Sequence, residues 1–294
     1  MNPITLQSPA KLNLFLAITG RRADGFHNLV SVAAPVEFGD TLTVEPRASG
    51  FTLECDEPGL EIDETNLVLK AARAFAEAAR WQGGAHFKLE KRIPMGAGLG
   101  GGSSNATTAL LALNDLAGMP LGCDPLTDIA ARLGSDCVLF LQDGPVVMRG
   151  RGERVRPLPP QAADRLRGRR VLIFKPAIGI STVWAYQRMA AGAPGSYLPD
   201  IEAETRLETW VSHATARAEE LLFNNMEAPA FDKFIALPVA LERLREEFGL
   251  APRMSGSGSA CFAFLPEEAP VDAITERIRE LWGAKTFVTD TRLA

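Results

Sequence analysis

Between Arg92 and Leu116 the chain reads RIPMGAGLGGGSSNATTALLALNDL, and five of the seven residues from Gly96 to Gly102 are glycine. Residues without Cβ let backbone amides approach a ligand closely. Where such a run opens a helix, the free N–H groups of the first turn favour an anion, and phosphate is the natural guest. Ordering so much glycine costs conformational entropy, which a bound ligand offsets and a plain flexible turn does not. Ser103 and Ser104 stand at the start of that helix, placed either to cap its backbone or to reach a phosphate or its Mg²⁺. Phosphoryl transfer to an alcohol further needs a cation for the developing charge and a carboxylate for the hydroxyl proton. The candidates are Lys11, two residues from Asn13 on an early strand, and Asp136, in a Gly134-Ser135-Asp136 turn ahead of an apolar run. Each also has an ordinary use, Lys11 as a solvated strand lysine and Asp136 as a helix cap.

Two common phosphate motifs fail here. Gly96-x-Gly98-x-x-Gly101 has the G-x-G-x-x-G form, but a dinucleotide-binding unit next needs an apolar strand ending in an acid. The chain instead supplies GMPLGCDPLTDIAARLGSD, another turn and another helix. A Walker A loop needs lysine where Gly102 stands, so the lysine must come from elsewhere in the chain.

The elements that must position these groups follow from periodicity. Residues 4–18 alternate, with Leu12, Leu14, Leu16 and Ile18 on one face and Lys11, Asn13 and Phe15 on the other, the pattern of a half-buried strand. Further strands are expected at Leu29–Phe38, Thr41–Glu45 and Phe51–Cys55, an antiparallel opening. Leu67, Ala71, Phe75 and Ala78 recur at helical spacing behind Asp63 and Thr65 as N-caps. His86–Ile93 reads as a strand and Ala106, Leu110, Leu113 and Ala117 as one helical stripe, so the glycines join a strand to a helix. A helix over Asp124–Leu133 precedes the apolar run Cys137–Leu141, whose periodicity decides nothing. Later come a strand at Val171–Lys175, helices at Val183–Ala191, Val239–Phe248 and Val271–Trp282, and one or two helices over Glu202–Met226. A second glycine-serine loop, RMSGSGSACFAF, leads into a strand at Ala260–Phe264. The class is α+β, with mixed, largely antiparallel sheets.

The length of 294 residues favours two domains, taken as residues 1–156 and 157–294 and divided ahead of the Pro157–Pro160 stretch. Thirty-one Lys+Arg against thirty-six Asp+Glu give a net charge of -5, which argues against nucleic acid as a partner. The basic runs Arg149–Arg156 and Arg165–Arg170 have no interleaved aromatics and read as a solvated connector. Four scattered cysteines fit small buried residues in a reducing compartment, and three histidines without ligand spacing argue against a resident metal. Asn13 interrupts the early apolar stretch and Arg21–Arg22 follow it, so no signal peptide is expected. No run is long enough to span a bilayer, and the cytoplasm is the expected location.

Taken in order, PAKLNLFLAITGRRADGFHNL, PMGAGLGGGSSNA, LGSD and MSGSGSACFAF resemble the GHMP kinase superfamily over the chain from Pro9 to about Phe264. The P-A-K-L-N-L start joined to G-R-R-x-D-G-F-H resembles a member acting on a cytidine diphosphate derivative. The resemblance implies a two-domain kinase with a cleft between an N-terminal ATP-binding and catalytic domain and a C-terminal substrate-side domain. ATP would be the co-substrate, with Mg²⁺ carried on it. Asp136 would be the base and Lys11 its partner beside the transferred group. Pro94, Met95, Gly96, Ala97, Gly98, Leu99, Gly100, Gly101, Gly102, Ser103 and Ser104 would wrap the ATP phosphates. Asn66 and Lys91 would flank the adenine, and Asn13 would contact the acceptor substrate. Phe26 and Tyr186 would stack on cytosine, with His27 hydrogen-bonding its ring.

Two departures stand out. Phe26 replaces the usual tyrosine and lacks its hydroxyl, and Cys137-Val138 replaces a Val-Pro pair, removing a proline that would fix the backbone at Asp136. The alternatives are a homoserine or mevalonate kinase of the same superfamily and a non-catalytic nucleotide-binding regulator. The D-G-F-H turn argues against the first, and the presence of both Lys11 and Asp136 against the second.

Overall fold

A computed structural model describes residues 2–294. The chain divides into two compact units that are interleaved in sequence. The first holds residues up to Ala10, Phe38–Ile93 and Gly100–Asp143; the second holds Lys11–Glu37, Pro94–Leu99 and Gly144–Ala294.

Strands β1 (Ile4–Arg21) and β2 (His27–Arg47) contribute residues to both units. The first unit adds β3 (Phe51–Cys55), α1 (Leu67–Ala79), β4 (Gly84–Glu90), α2 (Gly101–Leu116) and α3 (Cys123–Leu133). Instead of two strands broken at Gly39-Asp40, β2 is continuous. Gly39 is there for a close approach: a Cβ would sit 2.4 Å from the Ser8 carbonyl oxygen. Residues 41–47 of β2 pair antiparallel with β4, and β3, expected in an antiparallel opening, pairs with β4 in parallel. Helix α1 between them is the crossover that a parallel pair requires.

Helix α1 buries Val68, Leu69, Ala71, Ala72 and Phe75 along one face. Its N-cap is Asn66, one residue beyond Thr65: Oδ1 accepts from the Val68 amide at 2.9 Å, and Nδ2 donates to the Glu61 carbonyl at 2.6 Å. The expected cap, Asp63, closes the preceding turn by accepting from the Thr65 amide at 2.8 Å and hydroxyl at 2.7 Å. Asn66→Ala is expected to cost about 1 kcal/mol, seen as a lower urea midpoint at unchanged slope. Helix α2 is buried far beyond the expected stripe, from Ser104 round to Leu116. Asn105, Thr107 and Asn114 among its buried polar side chains are bonded, as where Asn114 exchanges two hydrogen bonds with Leu121 at 3.0 Å.

The second unit contains β5 (Val146–Gly150), β6 (Arg154–Pro157), α4 (Pro160–Ala163), β7 (Arg170–Lys175), α5 (Thr182–Ala191) and α6 (Asp200–Ser212). Then follow β8 (Phe223–Asn224), α7 (Glu227–Lys233), α8 (Ala236–Phe248), β9 (Arg253–Met254), β10 (Cys261–Phe264), α9 (Val271–Trp282) and β11 (Phe287–Arg292). Residues 29–33 of β2 pair antiparallel with β5, which forms a hairpin with β6, while β1 pairs in parallel with β8 at Phe15 and Leu16. A separate antiparallel sheet has the order β11-β7-β10-β9. Its β7 is covered on both faces, since Val171, Leu172, Ile173 and Phe174 are all fully buried.

The segment 202–226 is less helical than expected, with α6 followed by a 3₁₀ turn at Ala218–Leu221 and then β8. The basic runs are not a solvated connector. Arg149 makes a forked pair with Glu204 at 2.7 and 2.8 Å, Arg170 pairs with Asp290, and Arg165 donates to the Trp210, His213 and Ala216 carbonyls. The cysteines also divide: Cys137 and Cys261 are buried, but Cys123 is exposed. Among the described residues no helix is long and apolar enough to cross a membrane.

Candidate active site

In the second unit the glycine-rich loop 94–99 is stitched down by its carbonyls. The Lys11 amide donates to the Leu99 carbonyl at 2.9 Å, the Ala260 amide to the Ala97 carbonyl at 3.0 Å, and Ser255 Oγ to the Gly98 carbonyl at 3.3 Å. Met95 and Gly96 form a hydrogen-bonded turn, and the close backbone hydrogen bonds among the described residues include none donated by the N–H of Gly96, Gly98 or Leu99. A run of amides whose carbonyls are engaged on one side and several of whose N–H groups are left over is the makings of a nest for an anion. Gly98 adopts φ +77°, and a Cβ there would lie 2.4 Å from the Ser255 carbonyl oxygen. The second glycine-serine loop is thus the floor on which the first one rests.

Lys11 and Asn13 are buried, at 4% and 6% exposure, rather than on a solvated strand face. Every residue from Ala10 to Ile18 is buried, because β1 is covered on both sides here. Lys11 Nζ donates to Asn13 Oδ1. Asn13 Nδ2 donates to Ser31 Oγ at 2.9 Å, Ser31 Oγ to the Phe15 carbonyl at 2.7 Å, and the Asn13 amide to Ser255 Oγ at 3.2 Å. A buried ammonium held by a bonded amide side chain is a fixed positive charge of the kind that phosphoryl transfer uses.

In the first unit, Gly100 caps α2 in the left-handed conformation, and Ser104 Oγ is fully buried with no hydrogen-bond partner among the described residues. An orphaned hydroxyl at a helix N-terminus suits a hard cation or a phosphate oxygen. Ser103 lies beside Cys137, whose thiol is pushed up to about 11 by burial and so is no nucleophile at neutral pH. Asp136 precedes a 3₁₀ turn at Cys137–Leu141 and makes no capping bond to it, so the helix-cap use does not apply. The proline missing at 138 is compensated: Thr107 Oγ1 donates to the Cys137 carbonyl at 2.9 Å, and the Cys137 amide to the Gly134 carbonyl at 3.1 Å.

Lys91 is engaged in a network that the sequence did not disclose. Its Nζ pairs with the fully buried Asp40 carboxylate, whose other donors are the Arg92 amide at 2.6 Å, the Ile93 amide at 2.8 Å and Asn105 Nδ2 at 2.9 Å. The signal was the acid in Gly39-Asp40, which reads as a turn until its donors, more than fifty residues away, are known.

The Asp24–His27 turn is tied by Asp24 Oδ1, which accepts from the Phe26 amide at 3.1 Å. Phe26 is 53% exposed, so it is no core side chain, and the Arg151 guanidinium lies 5.1 Å from its ring centroid. His27 is buried, with the half-buried Tyr186 ring 4.9 Å away. Burial, and secondarily the nearby Arg21 charge, lower the His27 pKa, so the ring is neutral at pH 7. The folded state therefore binds fewer protons than the unfolded one between the lowered value and the ordinary 6.5. Stability from this group is present above that window and is lost as pH falls through it. An NMR titration of His27 is expected to give a midpoint below 6.5; a midpoint above it would contradict this environment.

The fold, with an anion nest and a helix N-terminus built from one glycine run, is that of a small-molecule kinase of the GHMP class. The model for the GHMP kinases N terminal domain matches residues 66–146, and that for the GHMP kinases C terminal matches residues 209–284. A 4-diphosphocytidyl-2-C-methyl-D-erythritol kinase of Synechococcus sp. (strain CC9311) is 36% identical over 293 residues, spanning 97% of this chain and 94% of the relative. A crystal structure of 4-(cytidine 5'-diphospho)-2C-methyl-D-erythritol kinase superposes with a TM-score of 0.77 at 35% identity, covering 99% of this chain and 100% of that one. The chain belongs to the 4-diphosphocytidyl-2-C-methyl-D-erythritol kinase family of GHMP kinases. A homoserine kinase from Cytophaga hutchinsonii, with a TM-score of 0.74 at 19% identity over 100% of this chain and 95% of that one, shares the fold alone.

Proposed function

We propose that this chain is an ATP-dependent kinase that phosphorylates the 2-hydroxyl of 4-diphosphocytidyl-2-C-methyl-D-erythritol, giving the 2-phosphate and ADP in non-mevalonate isoprenoid precursor synthesis. The observation that carries the phosphoryl chemistry is the loop 94–99, whose Ala97, Gly98 and Leu99 carbonyls are tied down while the Gly96, Gly98 and Leu99 amides make no close backbone bond among the described residues. ATP phosphates are the anion it suits. Mg²⁺ arrives with ATP and neutralises phosphate charge when bound; Ser103 and Ser104 are the hard oxygen ligands that the start of α2 offers.

Asp136 takes the proton of the acceptor hydroxyl, and Lys11, held by Asn13, supplies positive charge to the transferred group. Because the transition state of phosphoryl transfer is loose, orienting the hydroxyl matters more than abstracting its proton early. Asn66 and Lys91 are assigned to the adenine, Phe26 and Tyr186 to stacking on cytosine, and His27 to hydrogen bonds with its edge. The division of labour proposed is residues 1–156 for ATP and catalysis and 157–294 for the substrate side, one family-model match falling in each, with Asn13, Phe26 and His27 contributed to the substrate from the first part. We place the enzyme in the cytoplasm, acting on small molecules without nucleic acid or membrane partners.

Purified protein given ATP, Mg²⁺ and the cytidyl substrate is expected to release ADP and form the 2-phosphate, while homoserine and mevalonate remain unmodified. Turnover of either of those with none of the cytidyl compound would move the assignment to another kinase of the superfamily.

A further inference from the structure

The chain has two tyrosines, and both rings lie against the same histidine. Tyr186 faces His27 with centroids 4.9 Å apart and planes at 35°, whereas Tyr197 lies at 5.9 Å and 59° and brings its hydroxyl 3.2 Å from His27 Nε2. The preceding residue, Phe26, has no hydroxyl to offer. Tyr197 itself is held firmly. Its amide donates to the Pro194 carbonyl at 3.1 Å, and the Leu198 amide donates to the Ile18 carbonyl at 3.1 Å. Asn225 Nδ2 grips the Ser196 carbonyl at 3.1 Å and the Ile18 carbonyl at 2.9 Å, and Asn225 Oδ1 accepts from the Ile18 amide at 2.8 Å. The loop bearing the phenol is therefore anchored to β1 on both sides of Tyr197.

We propose that Tyr197 is a specificity-determining positioning residue: accepting a hydrogen bond from His27 Nε2–H, it fixes the ring tautomer and leaves Nδ1 bare to accept from the exocyclic amine of cytosine. This rests on the function proposed above. A neutral imidazole has one donor and one acceptor, and the bond made by one nitrogen decides what the other presents. Burial keeps His27 neutral, so the choice lies between tautomers and not between charge states. Cytosine carries an amine at the carbon where uracil carries a carbonyl. A bare Nδ1 pairs with the amine and meets the carbonyl lone pair to lone pair, leaving both groups desolvated and unpaired. Without Tyr197 the proton is free to move to Nδ1, which then suits the carbonyl.

Tyr197→Phe removes the hydroxyl and keeps the ring, so the fold is retained. Nitrogen-15 NMR of the ligand-free wild type is expected to show His27 as the Nε2–H tautomer, and the variant as a mixture. In kinetics, the variant is expected to raise KM for the cytidyl substrate about 10-fold with kcat within about 2-fold, and to lower the preference over the uridyl analogue by about 10-fold. A wild-type ring protonated on Nδ1, or a tautomer unchanged in the variant, overturns the proposal. So does a shifted tautomer with undiminished base preference. A wild type that shows the Nε2–H signature yet phosphorylates neither nucleotide overturns the functional reading, and the role of Tyr197 falls with it.

Discussion

Asp136→Asn protein is expected to bind ATP within about 2-fold of wild type and to transfer the phosphoryl group about 10³-fold more slowly, the scale of a lost general base. The two side chains have nearly the same shape, but an amide has no basic oxygen with which to receive the hydroxyl proton. The turn that follows has holds of its own. Asp136 makes no capping bond to the 3₁₀ turn that follows, and the turn is held from Thr107 and Gly134. Retained ATP affinity with an unchanged Tm is the expected sign that the loss of activity is chemistry and not collapse. Single-turnover product formation alongside calorimetric ATP titration separates the two, and an unchanged single-turnover rate would remove Asp136 from the mechanism.

Gly98→Ala is the second large effect. The position has φ +77°, which costs an L residue roughly 1–2 kcal/mol. A Cβ would also stand 2.4 Å from the Ser255 carbonyl oxygen, a backbone atom that cannot rotate away. The loop must then lift from its floor, breaking the Ser255 Oγ bond to the Gly98 carbonyl and displacing the amides proposed to hold phosphate. A rise of at least about 10-fold in KM for ATP is expected, the scale of one lost charge-assisted hydrogen bond, together with a lowered Tm. Gly96→Ala is the control, because Gly96 also has positive φ, at +60°, but its Cβ would point into open space. Equal losses in the two variants would show that the Ser255 contact is not what makes Gly98 necessary.

Local pattern carried much of the fold. The ends of β3 and α9 are legible because turn residues bracket a short β-rich run in one case and an apolar stripe of helical period in the other. β11 was missed because FVTDTR is polar and half-exposed, and it becomes a strand only by pairing with the buried β7, more than a hundred residues earlier. β5 and β6 were hidden by arginines whose partners, such as Glu204, lie far along the chain. At the site, the glycines, Lys11 and Asp136 could be singled out on chemical grounds. The burial of Lys11 and Asn13 could not, since alternation describes one strand and says nothing of what covers its polar face. Phe26, His27 and Tyr186 came from resemblance alone, and Tyr197 from neither, because a single phenol in a turn has no periodicity to betray it.

The bond from the Asn13 amide to Ser255 Oγ spans 242 residues, and that from Ser255 Oγ to the Gly98 carbonyl spans 157. A ribosome delivers the P-A-K-L-N start and the glycine run long before it delivers the serine that joins them. Until then the two early segments lack the serine that bonds to both, and the join between them waits for the last fifth of the message. Such long-range closure slows folding, because the loop entropy is lost before the contact repays it.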